Sequence, residues 1–220
     1  MNFRYLILDL DNTLYPQCSG MLQMIDRRID QFIAATTAIP AERIPEVRQE
    51  YLHEYGTTIG GLVMHHRIDP ADYFAFAYDI DVTQFVKPDS ELAAILQKLA
   101  LAKIVFSNSP LEYVERVLAV LGIRQIINKV YDIHFSRLVG KPNLSSYQRV
   151  LADLQAEGDE CIFVDDVAAN LSGAAAAGMT PVLMRTVHVH DHGPGGGWAV
   201  SRIHDLSQLV PEIIRARLTA

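Results

Sequence analysis

The stretch Tyr5–Thr13, YLILDLDNT, indicates the fold class of this chain. Its apolar residues Tyr5 to Leu8 run without polar interruption into Asp9. Such a run is typical of a strand that is buried on both faces, as in a parallel sheet covered by helices. The same pattern recurs in three later stretches, 103–106, 161–164 and 181–184. We therefore expect these four stretches to form strands of one parallel sheet.

Helical patterns alternate with these strands. They cover four stretches, 89–100, 110–121, 144–157 and 167–177. Asp89 is a favourable residue for the start of the first of them, Pro110 suits the first turn of the second, and Gly122 suits its end. The alternation of strand and helix from about residue 100 onward predicts an α/β protein with a Rossmann-like, doubly wound parallel-sheet core.

Residues 16–86 interrupt that alternation. They contain helical patterns, including 21–34 and 42–55, and no convincing buried strand. A helical block placed soon after the first strand predicts a small inserted domain. We expect residues 1–15 and 87–220 to form the core, and residues 16–86 to form a helical cap.

Composition narrows the class of protein. The 220 residues carry 19 basic and 26 acidic side chains, and half of them are hydrophobic. This is globular composition, and the acidic balance argues against binding to a nucleic-acid polymer. No apolar stretch approaches the roughly 20 residues of a membrane helix. The two cysteines, Cys18 and Cys161, argue against a disulfide scaffold, so we expect a cytoplasmic protein. The sequence leaves the oligomeric state open.

The first strand leads into two acids, Asp9 and Asp11, that lie two positions apart. Side chains at this spacing can project into one pocket, where their repulsion requires a cation or a proton. The carboxyl edge of a parallel sheet is where open α/β folds bind ligands. Taken alone, the pair is as consistent with an acidic turn that caps a helix as with a ligand site.

Three other polar runs follow apolar stretches. Ser107-Asn108 offers a hydroxyl, an amide and backbone N–H groups to phosphate oxygens, or simply caps a helix. Lys141, in a tight turn, can neutralise a phosphate or remain a solvated loop residue. Asp165-Asp166, with Asn170 after it, places further acids at a buried strand end, where a metal or hydrogen bonds must stabilise them.

In order and spacing, these four runs resemble the motifs of the haloacid dehalogenase-like superfamily of phosphohydrolases. The resemblance covers the whole core. Three segments, DLDNTLYP, YGTTIGGLVMHHRIDPADYF and DIDVTQFVKPDSEL, look like the pyrimidine 5′-nucleotidase group, whose members carry a helical cap after the first motif.

The resemblance implies a role for each motif residue. Asp9 would be the nucleophile that forms an aspartyl-phosphate, and Asp11 would be the general acid and then the general base. Mg²⁺ would be held by Asp9, the backbone carbonyl of Asp11, and Asp165 with or without Asp166. The transferring phosphate oxygens would be bound by Ser107, Asn108 and Lys141. Asn170 would support the acidic loop.

The resemblance therefore implies a Mg²⁺-dependent phosphomonoesterase, with a pyrimidine nucleoside 5′-monophosphate as its small-molecule substrate. Dehalogenases of the superfamily lack the acid at the position of Asp11, because a departing halide needs no proton. Three alternatives stay open. They are a phosphatase for another metabolite (a sugar phosphate, phosphoglycolate or a vitamin phosphate), a phosphomutase, and a nucleotide-binding regulator without turnover.

Three weaker features have two interpretations each. The tract His188–His192 fits a metal site or a surface loop beside the glycines at 193–197. The cap residues His65, His66 and Arg67 would contact a nucleotide or form a polar loop. Five aromatic residues would stack on a base or pack within the cap, namely Tyr15, Tyr73, Phe74, Phe76 and Tyr78.

Overall fold

A parallel sheet forms the centre of the molecule. The computed structural model describes residues 2–185 and 197–219. Within them the sheet has six parallel strands in the order β3-β2-β1-β4-β5-β6. The strands are β1 (Tyr5–Leu8), β2 (Ala102–Phe106), β3 (Lys129–Tyr131), β4 (Cys161–Asp165), β5 (Thr180–Met184) and β6 (Trp198–Val200). The predicted Rossmann-like α/β class is confirmed.

The described residues form nine α-helices. They are α1 (Met21–Thr36), α2 (Ile44–Tyr55), α3 (Thr58–His66), α4 (Pro70–Ala77), α5 (Ser90–Lys98), α6 (Leu111–Leu121), α7 (Leu144–Leu154), α8 (Ala168–Ala176) and α9 (Leu206–Thr219). The four helices predicted from residue 89 onward are present, with ends that differ by at most three residues. Strands β3 and β6 were not predicted from the sequence, because each has only three residues and such a short run carries too little pattern.

Local sequence explains where these elements begin and end. The side chain of Asp89 accepts a hydrogen bond from the backbone N–H of Leu92, which caps α5. Helix α6 follows Pro110 and is capped at its end by Gly122, whose φ of 77° lies in the left-handed region that glycine adopts without strain. The apolar stripe of α6 is buried, so the helix is held by packing against the core.

Strand register brings the polar strand ends together. Leu8 of β1 aligns with Val105 of β2 and with Val164 of β4. Asp9 and Asp165 therefore follow at the same carboxyl edge. From β1 the chain continues to β2 and β3 on one side of the sheet, and then to β4, β5 and β6 on the other side. Doubly wound sheets form a ligand crevice at such a switch point.

Helices α1 to α4 stand between β1 and α5, and we call them the α1–α4 segment. Residues 16–86 are all described and contain no strand. The helices share an apolar interior, in which the rings of Phe32 and Tyr73 meet edge to face at 5.5 Å. Thr57 Oγ1 donates a 2.7 Å hydrogen bond to the carbonyl of Leu138, so the segment contacts the loop that follows β3.

None of the helices in the described part of the chain combines the length and the apolar character that crossing a membrane requires.

Candidate active site

Lys141 joins two of the strand-end acids. Its Nζ lies 2.6 Å from Oδ1 of Asp9 and 2.7 Å from Oδ2 of Asp165. The lysine is 2% exposed, so both ion pairs are shielded from water. Burial alone would lower the pKa of Lys141, but the carboxylates of Asp165 and Asp9 raise it above its ordinary value. The ammonium group therefore stays charged between them.

Asn170 holds Asp165 from the other side. Its Nδ2 donates to both carboxylate oxygens of Asp165, each at 3.0 Å. The backbone N–H of Val167 donates to Oδ1 of Asp165 at 2.8 Å. Asp165 is fully buried, and these donors with Lys141 compensate for the lost hydration of its charge.

Asn108 contacts the lysine turn. Its Oδ1 accepts from the backbone N–H of Lys141, and its Nδ2 donates to the carbonyl of Lys141, both at 2.8 Å. A Cβ at Gly140 would lie 2.2 Å from Asn108 Oδ1, so only glycine allows this approach. Asn108, which we expected to bind phosphate, therefore uses its side-chain amide to hold the backbone of Lys141. Asn108 also lines the cavity described below.

Ser107 and Ser109 face different surroundings. Ser107 is 1% exposed, and its hydroxyl accepts from the backbone N–H of Ser109 at 3.0 Å. Ser109 lines the cavity, whereas Ser107 is not among the lining residues. The Oγ of Ser109 donates to Oδ2 of Asp11 at 2.7 Å. Ser109 is therefore a site residue that the motif comparison did not include.

Asp11 receives hydrogen bonds from three hydroxyl groups. Besides Ser109, Tyr15 and Tyr113 donate to its Oδ1 at 2.5 and 2.7 Å. The two phenol oxygens are themselves 3.1 Å apart. Burial and the nearby Asp11 raise the pKa of both tyrosines, so they remain protonated donors. The carboxylate of Asp11 is thereby fixed in orientation.

Three carboxylates form a possible cation site. Ligand oxygens of Asp9, Asp165 and Asp166 lie within 4.8 Å of one another. Burial, followed by the charge of Asp165, raises the pKa of Asp166 to about 6. With Lys141 counted, the ionised cluster carries a net charge of −2, which a divalent cation would balance. Oxygen donors of this kind suit Mg²⁺. The side chain of Asp11, bound to hydroxyls, is outside the cluster.

A cavity of about 600 Å³ lies over these residues. Asp9, Asp11 and Lys141 line it together with neighbouring residues of the loops at the strand ends, and residues of the α1–α4 segment line it as well. Among the predicted aromatic residues, Tyr73, Phe74 and Tyr78 line it. The cavity therefore joins the acidic cluster to a largely apolar wall and has the size of a typical site for a small organic ligand.

The other candidate residues are not among those that line the cavity. His65 and His66 are bonded through Nε2 to the hydroxyls of Tyr55 and Tyr51, at 2.7 and 2.9 Å. Arg67 ends α3 in a left-handed conformation. Phe76 packs under the guanidinium of Arg28, and Tyr15 binds Asp11. None of these side chains is among the lining residues. The tract His188–His192 lies outside the described residues.

Comparison with known proteins identifies the family. Residues 3–178 match the family model of haloacid dehalogenase-like hydrolases. The chain belongs to this family, which confirms the superfamily that the four motifs indicated. Membership makes the protein a hydrolase, and the family supports a small-molecule substrate and a divalent metal.

Individual relatives are distant. Phosphate metabolism protein 8 of Saccharomyces cerevisiae is 24% identical over 192 residues, which are 80% of this chain and 59% of that protein. The chain thus spans less than two thirds of the length of this relative.

Two solved structures illustrate the shared fold. L-2-haloacid dehalogenase of Xanthobacter autotrophicus, with chloropropionic acid covalently bound, is 16% identical with a TM-score of 0.59, covering 95% of this chain and 98% of that one. The HAD-hydrolase YfnB of Bacillus subtilis, bound to magnesium, is 13% identical with a TM-score of 0.60, covering 96% of this chain and 99% of that one. Likeness at this identity shows the fold.

Proposed function

We propose that this hydrolase is a Mg²⁺-dependent phosphomonoesterase that acts through an aspartyl-phosphate. The observation that carries the proposal is the contrast between two neighbouring carboxylates. Asp9 contacts the ammonium of Lys141, whereas Asp11 contacts only hydroxyl donors among the described side chains. Two carboxyl groups in such different surroundings suit two different roles, a nucleophile and a proton carrier.

The first step transfers the phosphoryl group. An oxygen of Asp9 attacks phosphorus while the bond from phosphorus to the ester oxygen breaks. Asp11 donates a proton to that oxygen, so the leaving group departs as a neutral alcohol. Lys141, 2.6 Å from Asp9, stabilises negative charge on the transferring oxygens. Mg²⁺ held by Asp9, Asp165 and Asp166 would offset the repulsion between the nucleophile and the phosphate.

The second step releases inorganic phosphate. Asp11, now ionised, removes a proton from water, whose oxygen attacks the phosphorus of the aspartyl-phosphate. The bond between Asp9 and phosphorus breaks, and the carboxylate is regenerated. A dehalogenase would have no use for Asp11, because a halide leaves without a proton. The ordered hydroxyls around Asp11 therefore favour ester hydrolysis over dehalogenation.

We further propose a pyrimidine nucleoside 5′-monophosphate as the substrate. A volume of about 600 Å³ accommodates a nucleotide. The aromatic residues of the α1–α4 segment that line the cavity suit a flat ring. In this proposal residues 16–86 are the cap that contacts the leaving group, and residues 1–15 and 87–220 are the catalytic core.

Phosphate release from a panel of esters tests the proposal. The panel contains UMP, CMP, AMP, GMP, glucose 6-phosphate and phosphoglycolate, each with Mg²⁺. We expect UMP and CMP to have the highest kcat/KM, and the Asp9→Asn variant to lose turnover by about 10³-fold or more. Preference for a sugar phosphate would overturn the substrate. Isomerised product without net phosphate release would indicate a mutase, and near-normal turnover by the variant would exclude Asp9 as nucleophile.

A further inference from the structure

One face of helix α1 lines the cavity. Its residues stand three and four positions apart, which is the spacing of a helical face, and they are Leu22, Ile25, Asp26 and Ile29. Three of these side chains are apolar, whereas Asp26 carries a charge. A carboxylate on an apolar wall loses part of its hydration, so it needs hydrogen-bond donors.

Arg48 of α2 supplies a donor to one oxygen of Asp26. Its Nη2 lies 2.5 Å from Oδ1 of Asp26, and its Nη1 lies 2.7 Å from Oδ1 of Asp30, one turn further along α1. The side chain of Arg48 is 16% exposed, so its position is set by these two contacts. The ion pair therefore fixes the orientation of the Asp26 carboxylate in the wall.

The second oxygen of Asp26 is open to a ligand. Among the described residues, the hydrogen bond to this carboxylate ends on Oδ1, and Oδ2 does not belong to the buried side-chain atoms that lack a partner. An oxygen that is neither bonded nor buried is exposed, in agreement with the 49% exposure of the side chain. Because Asp26 lines the cavity, a ligand inside it can donate to Oδ2.

Tyr78 connects Asp26 with the proton carrier of the proposed mechanism. Burial raises the pKa of Tyr78, and the charges of Asp11 and, to a smaller extent, of Asp26 raise it further. Tyr78 thus lies in the field of both carboxylates, and all three residues line the cavity. A leaving group whose ester oxygen meets Asp11 can therefore extend along this wall to Asp26.

The chemistry of Asp26 restricts what it can bind. An ionised carboxylate accepts hydrogen bonds and donates none, so its partner must be a hydroxyl or N–H group. Asp26, Asp30 and Arg48 together carry a net charge of −1, which repels a second anionic group on the ligand. The donors that the proposed substrate offers are the two adjacent hydroxyl groups of its ribose.

We propose that Asp26 is a specificity-determining residue that accepts a hydrogen bond from a hydroxyl group of the leaving alcohol. This inference rests on the proposed function, since it concerns the alcohol that the phosphatase releases. In a nucleoside the hydroxyl belongs to the ribose, and the contact is the same for every base. Asp26 therefore contributes to recognition of the sugar and leaves the choice of base to other residues.

The test compares two esters that differ only in these hydroxyl groups. UMP and 2′,3′-dideoxyuridine 5′-monophosphate share the phosphate and the base. In the wild type we expect kcat/KM for UMP to be about 10- to 100-fold higher, because hydrogen bonds to charged groups are among the stronger ones. In Asp26→Ala this ratio should fall to about 1, mainly through a higher KM for UMP.

The matched control is Asp30→Ala. It also removes one carboxylate from Arg48, but Asp30 is not among the lining residues, so its ratio should equal that of the wild type. The side chains of Asp26 and Asp30 are 49% and 42% exposed, and we expect both variants to fold. If Asp26→Ala fails to fold, Asp26→Asn keeps the shape without the charge, and its ratio should fall about 3- to 10-fold.

The outcomes separate this inference from the proposed function. A wild-type ratio near 1, an unchanged ratio in a folded Asp26→Ala, or an equal fall in Asp30→Ala would overturn the role of Asp26 while phosphate release from UMP stands. Faster hydrolysis of phosphoethanolamine than of UMP, lost in Asp26→Ala, would assign Asp26 to an ammonium group and overturn it too. Release from no ester would overturn both proposals.

Discussion

The hydroxyl of Tyr113 donates a 2.7 Å hydrogen bond to Oδ1 of Asp11, although 102 positions separate the two residues in the chain. Tyr113 belongs to α6, on the core side of the site, and Tyr15 reaches the same oxygen from the chain that leads to α1. A proton carrier must be aimed at the atom that it serves. The two phenols therefore act as positioning residues in the mechanism that we propose.

Tyr113→Phe removes one donor without changing the shape of the side chain. We expect kcat for UMP to fall about 10- to 100-fold with little change in KM, because hydrogen bonds to charged groups contribute about 1.5–3 kcal/mol. With p-nitrophenyl phosphate, whose leaving group needs no proton, the burst of p-nitrophenol should persist while steady turnover slows. Stopped-flow absorbance measures both phases.

The control for that variant is Tyr131→Phe. Tyr131 donates to Asp153 at 2.6 Å, away from Asp11, so its loss should leave the burst and the steady rate unchanged. Equal loss of both phases in Tyr113→Phe would contradict a positioning role and indicate a general packing defect.

Gly140→Ala tests the contact between Asn108 and the lysine turn. The added Cβ would lie 2.2 Å from Asn108 Oδ1, and overpacking of this kind costs about 1–3 kcal/mol. In an Asn108→Ala background the obstructing atoms are absent, so the same change should cost much less. Urea unfolding of the four proteins gives the coupling free energy. Additive effects would show that Gly140 is not constrained by Asn108.

The pKa of Asp166, raised to about 6 by burial and by Asp165, predicts a pH dependence of stability. The ordinary value is 3.8, so near pH 5 the metal-free folded protein holds a proton that the unfolded chain has released. Its free energy of unfolding should therefore fall as the pH rises from about 4 through about 6. Urea denaturation in EDTA at pH 5 and pH 7 measures this fall, which should be smaller in Asp166→Asn.

Removal of divalent metal should abolish turnover. The net charge of −2 that we assign to the ionised cluster predicts binding of a divalent cation by Asp9, Asp165 and Asp166. Dialysis against EDTA should eliminate phosphate release from UMP, and Mg²⁺ should restore it. Full activity in the chelator would contradict the metal requirement.

Sequence could predict the residues that stand at strand ends. Asp9, Lys141 and Asp165 each follow or end an apolar run or lie in a glycine turn, and the carboxyl ends of parallel strands meet at one edge. The convergence of Asp9 and Asp165 follows from that topology, whereas Lys141 reaches them from the turn before α7. The fold class is equally accessible, because buried strands leave continuous apolar runs.

Other parts of the site leave no such signal. Tyr113 has the helical spacing of a core residue, and only the packing of α6 beside Asp11 turns its hydroxyl toward the site. Arg48 has the pattern of an exposed helix residue until α1 supplies Asp26 and Asp30. The sequence predicts an amide at Asn108, but it does not predict which group that amide binds. The structure shows that the amide forms two hydrogen bonds with the backbone of Lys141, beside Gly140.

The pairing of β1 directly with β2 and β4 has an evolutionary consequence. Backbone hydrogen bonds between these strands hold Asp9 next to Asp165, and the α1–α4 segment takes no part in that pairing. In the function that we propose, mutation of helices α1 to α4 can therefore remodel the surface that meets the leaving group while the strand pairing keeps the reacting carboxylates in place. Chemistry and substrate choice can diverge at separate rates within one gene.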